Sequence, residues 1–102
     1  GGGDGVNPSF GKRDADLDLY IKSRLRISYI PGIENGIVRV SFIVEKDGSV
    51  SNVQILDSNG LPYSALKQIK LTFMEMPNWN PGKYGSIPVR VQLEKPINIA
   101  FH

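Results

Sequence analysis

The side chains that most often carry out catalysis or bind metal ions are scarce in this sequence. It has no cysteine, and its one histidine, His102, is the last residue, where a chain commonly frays. Asp4, Asp47 and Asp57 lie in a glycine-rich lead, a turn and a strand end, where carboxylates are usually solvated or form turns. No cluster of histidines or cysteines suggests a transition-metal site, and the single histidine at the chain end is poorly placed for a catalytic triad. We therefore expect no enzyme activity and no bound metal.

Two glycine-containing segments do not fit known ligand-binding loops. Gly1 to Gly5 is followed by no Gly-Lys-Ser/Thr sequence and preceded by no strand, so it lacks the features of a phosphate-binding loop. Glu45 to Gly48 lacks the further oxygen ligands of a calcium loop. We expect the first segment to be linker, the second to be a turn, and the protein to need no cofactor.

The composition is that of one soluble domain. The 102 residues are 40% hydrophobic and 22% charged, and a chain of this length has room for one core. We expect residues 1–12 to be a flexible linker and residues 13–102 to be the domain. The net charge is only +2 and the lysines are scattered, so we expect no nucleic-acid partner. No apolar run of about 18 residues is present, and any targeting or anchoring segment is expected upstream of Gly1.

Two segments have the periodicity of an amphipathic helix. Leu17, Ile21 and Leu25 recur every four residues, with acidic residues before them and basic residues at the end, which predicts a helix from Asp14 to about Arg26. A second helix is predicted from Pro62 to about Met76, ended by Pro77. Its apolar residues follow at spacings of three and four: Leu66, Ile69, Phe73 and Met76.

Three segments are predicted to be strands, and the first and last of them alternate between apolar and polar residues, as half-buried strands do. Val38 to Val44 and Val50 to Leu56 flank the turn sequence Lys46 to Ser49, which predicts a β-hairpin. Between Ile87 and Phe101 every odd position except Lys95 is apolar, which predicts a long third strand with one buried face. Turns are predicted at Tyr29 to Gly32 and Glu34 to Gly36, and the latter leads into the first strand. 

The order helix, strand, strand, helix, strand predicts an α+β fold. Two helices should pack on one face of a three-stranded antiparallel or mixed sheet. A right-handed helical crossover would make the last strand parallel to the second strand and place it beside the first. The expected order in the sheet is therefore second, first, last.

Pro88 and Pro96 occupy the same parity of the last strand, so one flank of this strand lacks two N–H donors. If the odd residues pair with the first strand, the backbones of Arg90, Gln92 and Glu94 face an open edge. Prolines at an edge often serve only to prevent unwanted strand pairing. They could equally bracket a stretch that accepts a guest strand by β-augmentation. The pattern leaves both interpretations open.

Several motifs between about Ile37 and Phe101 together form a more specific pattern. They are Val40 to Val50, Ala65-Leu66, Met76 to Gly82, Gly85, Pro88-Val89, Pro96-Ile97 and Phe101. This combination resembles the TonB C-terminal domain family, especially its shorter forms in Bacteroidetes-like bacteria. The Met-Pro-x-Trp-x-Pro-Gly segment is its most specific part. For Trp79 itself we expect a packing role, covering one end of the core between two prolines.

The resemblance implies a role in force transmission. It implies a periplasmic domain of an energy transducer, anchored in the inner membrane and associated with a proton-driven motor through a region upstream of this sequence. Its partner would be the N-terminal motif of a TonB-dependent outer-membrane receptor, which joins the sheet beside the last strand. The docking stretch expected here is Val89, Arg90, Val91, Gln92, Leu93 and Glu94.

Two other functions are compatible with the same residues. A similar domain can serve as a sensory or regulatory tail of a membrane-bound antirepressor or metallopeptidase. A single anchor helix with a Pro/Lys-rich spacer upstream would favour the transducer, and several membrane spans with a His-Glu-x-x-His motif the peptidase. A periplasmic assembly domain could also pair its edge with a second copy and form a weak homodimer.

Overall fold

The computed structural model describes residues 5–33 and 36–99. These residues form two helices, α1 (Ala15–Arg24) and α2 (Tyr63–Met74). The strands are β1 (Gly5–Val6), β2 (Ile37–Val44), β3 (Val50–Asp57), β4 (Gly82–Tyr84), β5 (Ile87–Val89) and β6 (Val91–Asn98). The predicted turn residues Glu34 and Asn35, and Asp4, Phe101 and His102, lie outside the described residues.

The main sheet has the order β3-β2-β6. β2 is antiparallel to both neighbours, so β6 runs in the same direction as β3 without touching it. This confirms the predicted α+β class and the order second, first, last. The alternating residues of β2 give it one buried face. Its four even-numbered apolar side chains are fully buried: Val38, Val40, Phe42 and Val44.

Both predicted helices are present, each slightly shorter than the sequence pattern suggested. α1 begins beside Asp16, whose carboxylate accepts hydrogen bonds from the N–H groups of Lys12 and Arg13. The bond from Lys12, followed by the bond from Arg13, lowers the pKa of Asp16. α2 follows Pro62, which is extended and cannot donate an N–H, and its buried side chains include Ile69 and Phe73.

Aromatic side chains join the helices to the sheet. The ring of Phe42 on β2 lies 5.1 Å from that of Phe73 on α2 and 5.2 Å from that of Trp79. Trp79 is only 4% exposed, which agrees with the packing role expected for it. Its indole nitrogen is buried without a hydrogen-bond partner among the described residues, so apolar contacts hold this side chain.

The β2–β3 turn is locked to the loop that carries Trp79. Gly48 has a φ of +88°, and its carbonyl oxygen accepts a 2.7 Å hydrogen bond from the Trp79 N–H. The amide of Asn78 donates to the carbonyl oxygen of Asp47. A β-carbon added at Gly48 would overlap the carbonyl oxygen of Trp79, so the close approach requires glycine. The Asp-Gly turn predicted from sequence is therefore also a tertiary contact.

The prediction of one long strand from Ile87 to Phe101 is wrong at its N-terminal part. The strand is interrupted at Arg90, and β5 belongs to a second sheet with the order β1-β4-β5. β4 was not predicted, because three residues between Pro81 and Gly85 give too short a pattern to detect. Gly85, with a φ of +63°, opens the tight turn that folds β5 back on β4.

The glycine-rich lead contacts the domain from Gly5 onward. Gly5 and Val6 pair with β4, and the backbones of Ser9 and Asn80 exchange two hydrogen bonds of 3.0 and 2.8 Å. Phe10 packs its ring 5.5 Å from that of Trp79. The domain boundary at residue 12 stays a prediction, but these contacts bring residues upstream of it onto the folded surface.

Candidate functional site

β6 is an edge strand of the main sheet. It pairs with β2 over its whole length, from Val91 opposite Val44 to Asn98 opposite Ile37. Within residues 5–33 and 36–99 no strand pairs with its other flank. An edge of eight residues with an unoccupied flank is therefore available for pairing.

The hydrogen-bond pattern shows which residues face that flank. The N–H of Ile99 donates to the carbonyl oxygen of Gly36, a pair that continues the β2–β6 register by one step. In an antiparallel pair, residues of one parity direct both backbone groups to the partner. The odd residues of β6 therefore face β2, and the even residues face outward. Pro96, which stands opposite Arg39 and has no N–H to donate, fits this outward position.

The open flank thus presents the N–H and C=O groups of Gln92 and Glu94, bounded on one side by Pro96. On the other side, Pro88 lies opposite Lys83 in the β4–β5 hairpin, between the pairs Gly82–Val89 and Tyr84–Ile87. Because the closing pair of a two-residue hairpin is hydrogen-bonded, Pro88 takes the outward position of β5. Pro88 thus faces away from β4 and Pro96 away from β2, in two sheets that are separated by the break at Arg90.

The predicted docking stretch Val89 to Glu94 is divided between different environments. Val91 to Glu94 lie in β6, whereas Val89 ends β5 and pairs with Gly82. Arg90 lies between the two strands. Within this stretch, only Gln92 and Glu94 both lie in β6 and direct their backbone groups outward. Val91 and Leu93 are half-buried on the core side.

Three even-numbered side chains, those of Arg90, Gln92 and Glu94, bind side chains of β2 or of Glu45, which directly follows it. The Arg90 guanidinium binds Glu45 through two hydrogen bonds of 2.8 and 3.2 Å. The amide of Gln92 donates to the Ser41 hydroxyl at 2.9 Å. Glu94 forms an ion pair with Arg39. These cross-strand contacts hold β6 in register, so backbone rather than side chains is free at the edge.

Sequence reasoning missed these three partners, although a signal was present. Arg39 and Ser41 lie on the polar face of β2, and Glu45 follows its last residue. Glu94 and Gln92 contact Arg39 and Ser41 diagonally, because Arg39 stands opposite Pro96 and Ser41 opposite Glu94. The signal is the opposite charge at the two ends of this row, which indicates that the two polar faces meet but does not give the register, since the Arg39–Glu94 contact is diagonal. The Arg90 hydrogen bonds, followed by that of Ser51, lower the pKa of Glu45, and the same pair raises the pKa of Arg90.

Two further acidic groups, Asp47 and Asp57, have local structural roles. Asp47 accepts hydrogen bonds from the hydroxyl and the N–H of Ser49, which lower its pKa. Asp57 accepts a bond from the N–H of Asn59. In the described part of the chain no three His, Cys, Asp or Glu side chains are placed to hold a metal ion. In the same part no helix has the length and hydropathy needed to cross a membrane.

A comparison with protein families matches residues 33–101 to the model described as Gram-negative bacterial TonB protein C-terminal. The match covers more than half of the chain and includes β2 to β6 and α2. α1 and the lead lie upstream of it. No curated protein is a significant match to the chain.

Proposed function

The chain belongs to the family of Gram-negative bacterial TonB C-terminal domains, and from this membership we propose that it binds outer-membrane receptors by β-strand addition. The family makes it a TonB-like periplasmic domain and implies outer-membrane receptors as partners. In the proposed function, the full-length protein is anchored in the inner membrane and couples a proton-driven motor to TonB-dependent receptors. The N-terminal motif of a receptor pairs with the outer flank of β6.

The observation that carries this proposal is the open flank of β6. Gln92 and Glu94 direct their backbone groups away from β2, and Pro96, which has no N–H, follows them at the next outward position. A guest strand that pairs here gains main-chain hydrogen bonds and displaces no strand among the residues that the structure describes. The side chains of this stretch stay bound to β2, so the domain does not have to repack.

The geometry sets the strength of the contact. Two outward residues offer one donor and one acceptor each, and each hydrogen bond contributes a net free energy of about 0.5–1.5 kcal/mol. A gross gain of roughly 2–6 kcal/mol is opposed by the entropy of ordering a flexible guest. The backbone contact alone therefore corresponds to weak, readily reversed binding, which suits repeated engagement and release.

The direct test is a titration of the isotope-labelled domain with a synthetic N-terminal peptide of a TonB-dependent receptor. We expect the largest shifts of backbone amide resonances between Arg90 and Glu94. If the perturbed amides map instead to the turn from Lys46 to Ser49, the assigned site is wrong. Hydrogen exchange gives a second readout, since the amides of Gln92 and Glu94 should exchange rapidly in the free domain and slow down with peptide. Protection that rises with domain concentration alone would indicate self-pairing instead.

A pair of variants at one position separates backbone from side-chain recognition. Gln92→Pro removes an outward N–H and leaves every bond from the odd residues to β2 intact. Gln92→Ala keeps that N–H and loses only the contact with Ser41. We expect the proline variant to bind the peptide several-fold more weakly than the alanine variant, because one hydrogen bond is lost and proline obstructs the guest strand. Equal affinities in two folded variants would refute pairing at this edge.

A further inference from the structure

A groove lies at the opposite edge of the main sheet, between β3 and α2. It has a volume of about 430 Å³. Its lining residues are Gln54 and Ile55 of β3, and Tyr63, Leu66, Lys67 and Lys70 of α2. The proposed receptor contact at β6 does not include this surface. The hydrophobic core covers it only in part, since Ile55 and Leu66 are half-buried.

The charge of the groove has one sign. α2 contains Lys67 and Lys70 and no acidic residue along its twelve positions, and no acidic residue lines the groove. Neither ammonium group forms an ion pair within the described residues. By contrast, Arg39 and Arg90 are each neutralised by a carboxylate. The groove therefore carries two cations without intramolecular counterions.

Exposed apolar side chains accompany these cations. Tyr63 is 79% exposed and Met74 is 63% exposed, although both belong to α2. Together with Lys67 and Lys70 they follow the spacing of four, three and four residues that places side chains on one helical stripe. The stripe places two adjacent cationic side chains between two exposed apolar ones and contributes little to the core.

We propose that the groove between α2 and β3 is a second docking site, which binds an acidic segment of a partner protein that carries apolar side chains. Two unpaired ammonium groups select for carboxylates, and Tyr63, Leu66 and Ile55 supply apolar surface between them. A concave site of this size lies within the roughly 300–1,000 Å³ typical of ligand pockets and favours an inserted peptide over a flat membrane surface.

The two sites are independent in the fold. β3 and β6 are the two outer strands of the sheet, with β2 between them. A peptide in the α2–β3 groove touches none of the residues on the open flank of β6. The inference goes beyond the proposed function and does not rest on it, and the domain could hold both partners at once.

The test uses a synthetic peptide of mixed leucine and glutamate as probe, with its leucine and lysine counterpart as a control. We expect amide shifts at Gln54, Ile55 and the first two turns of α2 with the acidic peptide and none with the basic one. The double variant Lys67→Glu/Lys70→Glu should weaken binding at least about tenfold, equivalent to about 1.4 kcal/mol. A matched double variant, Lys46→Glu/Lys83→Glu, changes the net charge equally at exposed sites outside the groove and should keep the affinity.

Three outcomes would overturn the inference. Equal weakening by both double variants would show that the peptide responds only to net charge. Shifts centred on Gln92 and Glu94 would place the acidic peptide at the β6 flank. Binding to phosphatidylglycerol vesicles through Lys67 and Lys70, with no peptide shifts in the groove, would make the surface a membrane contact. A receptor peptide added afterwards should still perturb β6, so failure at one site is distinguishable from failure at the other.

Discussion

Substituting Gly48 by alanine tests whether the turn and the Trp79 loop are locked together. Gly48 has a φ of +88°, and an added β-carbon would overlap the carbonyl oxygen of Trp79. Gly32 offers a matched control, because its φ is +89° and no atom of the described residues lies within 4 Å of the place that a β-carbon would take. The two alanine variants share the backbone cost and differ in the tertiary clash.

The expected magnitudes follow from these contacts. A positive φ costs an alanine roughly 1–2 kcal/mol in either turn. At Gly48 the loop must also move away, which breaks the Trp79 N–H bond to the Gly48 carbonyl oxygen, a further loss of about 0.5–1.5 kcal/mol. It also disturbs the packing of Trp79 on Phe42. We expect Gly48→Ala to lower the free energy of unfolding by about 2–4 kcal/mol, and Gly32→Ala by about 1–2 kcal/mol.

Urea denaturation followed by tryptophan fluorescence measures both losses, because Trp79 is the only tryptophan and reports on the contact itself. A thermal melt gives a second readout, with about 4–8 °C expected for each kcal/mol in a domain of this size. The change in unfolded-chain entropy from Gly to Ala is common to both variants and cancels in their difference. Equal destabilisation by the two variants would refute the lock between the turn and the loop.

Three further variants test other contacts. Phe10→Ala should lower the free energy of unfolding by about 1–3 kcal/mol in a denaturant titration if the lead is part of the domain, since aromatic pairs contribute about 0.5–1.5 kcal/mol beyond burial; a change near zero would assign it to the linker. Glu45→Gln removes the ion pair with Arg90. Because the pKa of Glu45 in the folded state is lowered from 4.5, the pair stabilises the fold fully above that pH, and its contribution is lost as the pH falls through the lower folded value. Wild type and variant should therefore converge in stability in acid, and a constant gap between them down to low pH would contradict this. Phe73→Ala removes a fully buried ring that contacts Phe42 and should cost about 3–5 kcal/mol in the same titration, whereas a loss below about 1 kcal/mol would contradict its place in the core.

Much of the candidate site was accessible from the sequence because it depends on strand parity. A strand alternates its backbone groups as strictly as its side chains, so two prolines of equal parity indicate one flank. The apolar odd positions then assign the other flank to the sheet. This reasoning gave the outward positions of Gln92 and Glu94 but placed Val89 and Arg90 in the same strand, which the break before Val91 contradicts.

The sequence by itself determined the local elements: both helices, the hairpin, and the buried face of β2. Each depends on periodicity and backbone preference within a few consecutive residues. Only the tertiary structure decided that β5 leaves the main sheet to pair with β4, and that Gly48 receives the Trp79 loop. The β4–β5 pairing is a tight hairpin, but its three-residue strands are too short for a readable period. The contact between Gly48 and Trp79 joins segments far apart in the chain, and it depends on which remote backbone groups can meet at acceptable loop-closure cost. The same holds for Glu45 and Arg90, whose contact joins the end of β2 to the residue that precedes β6.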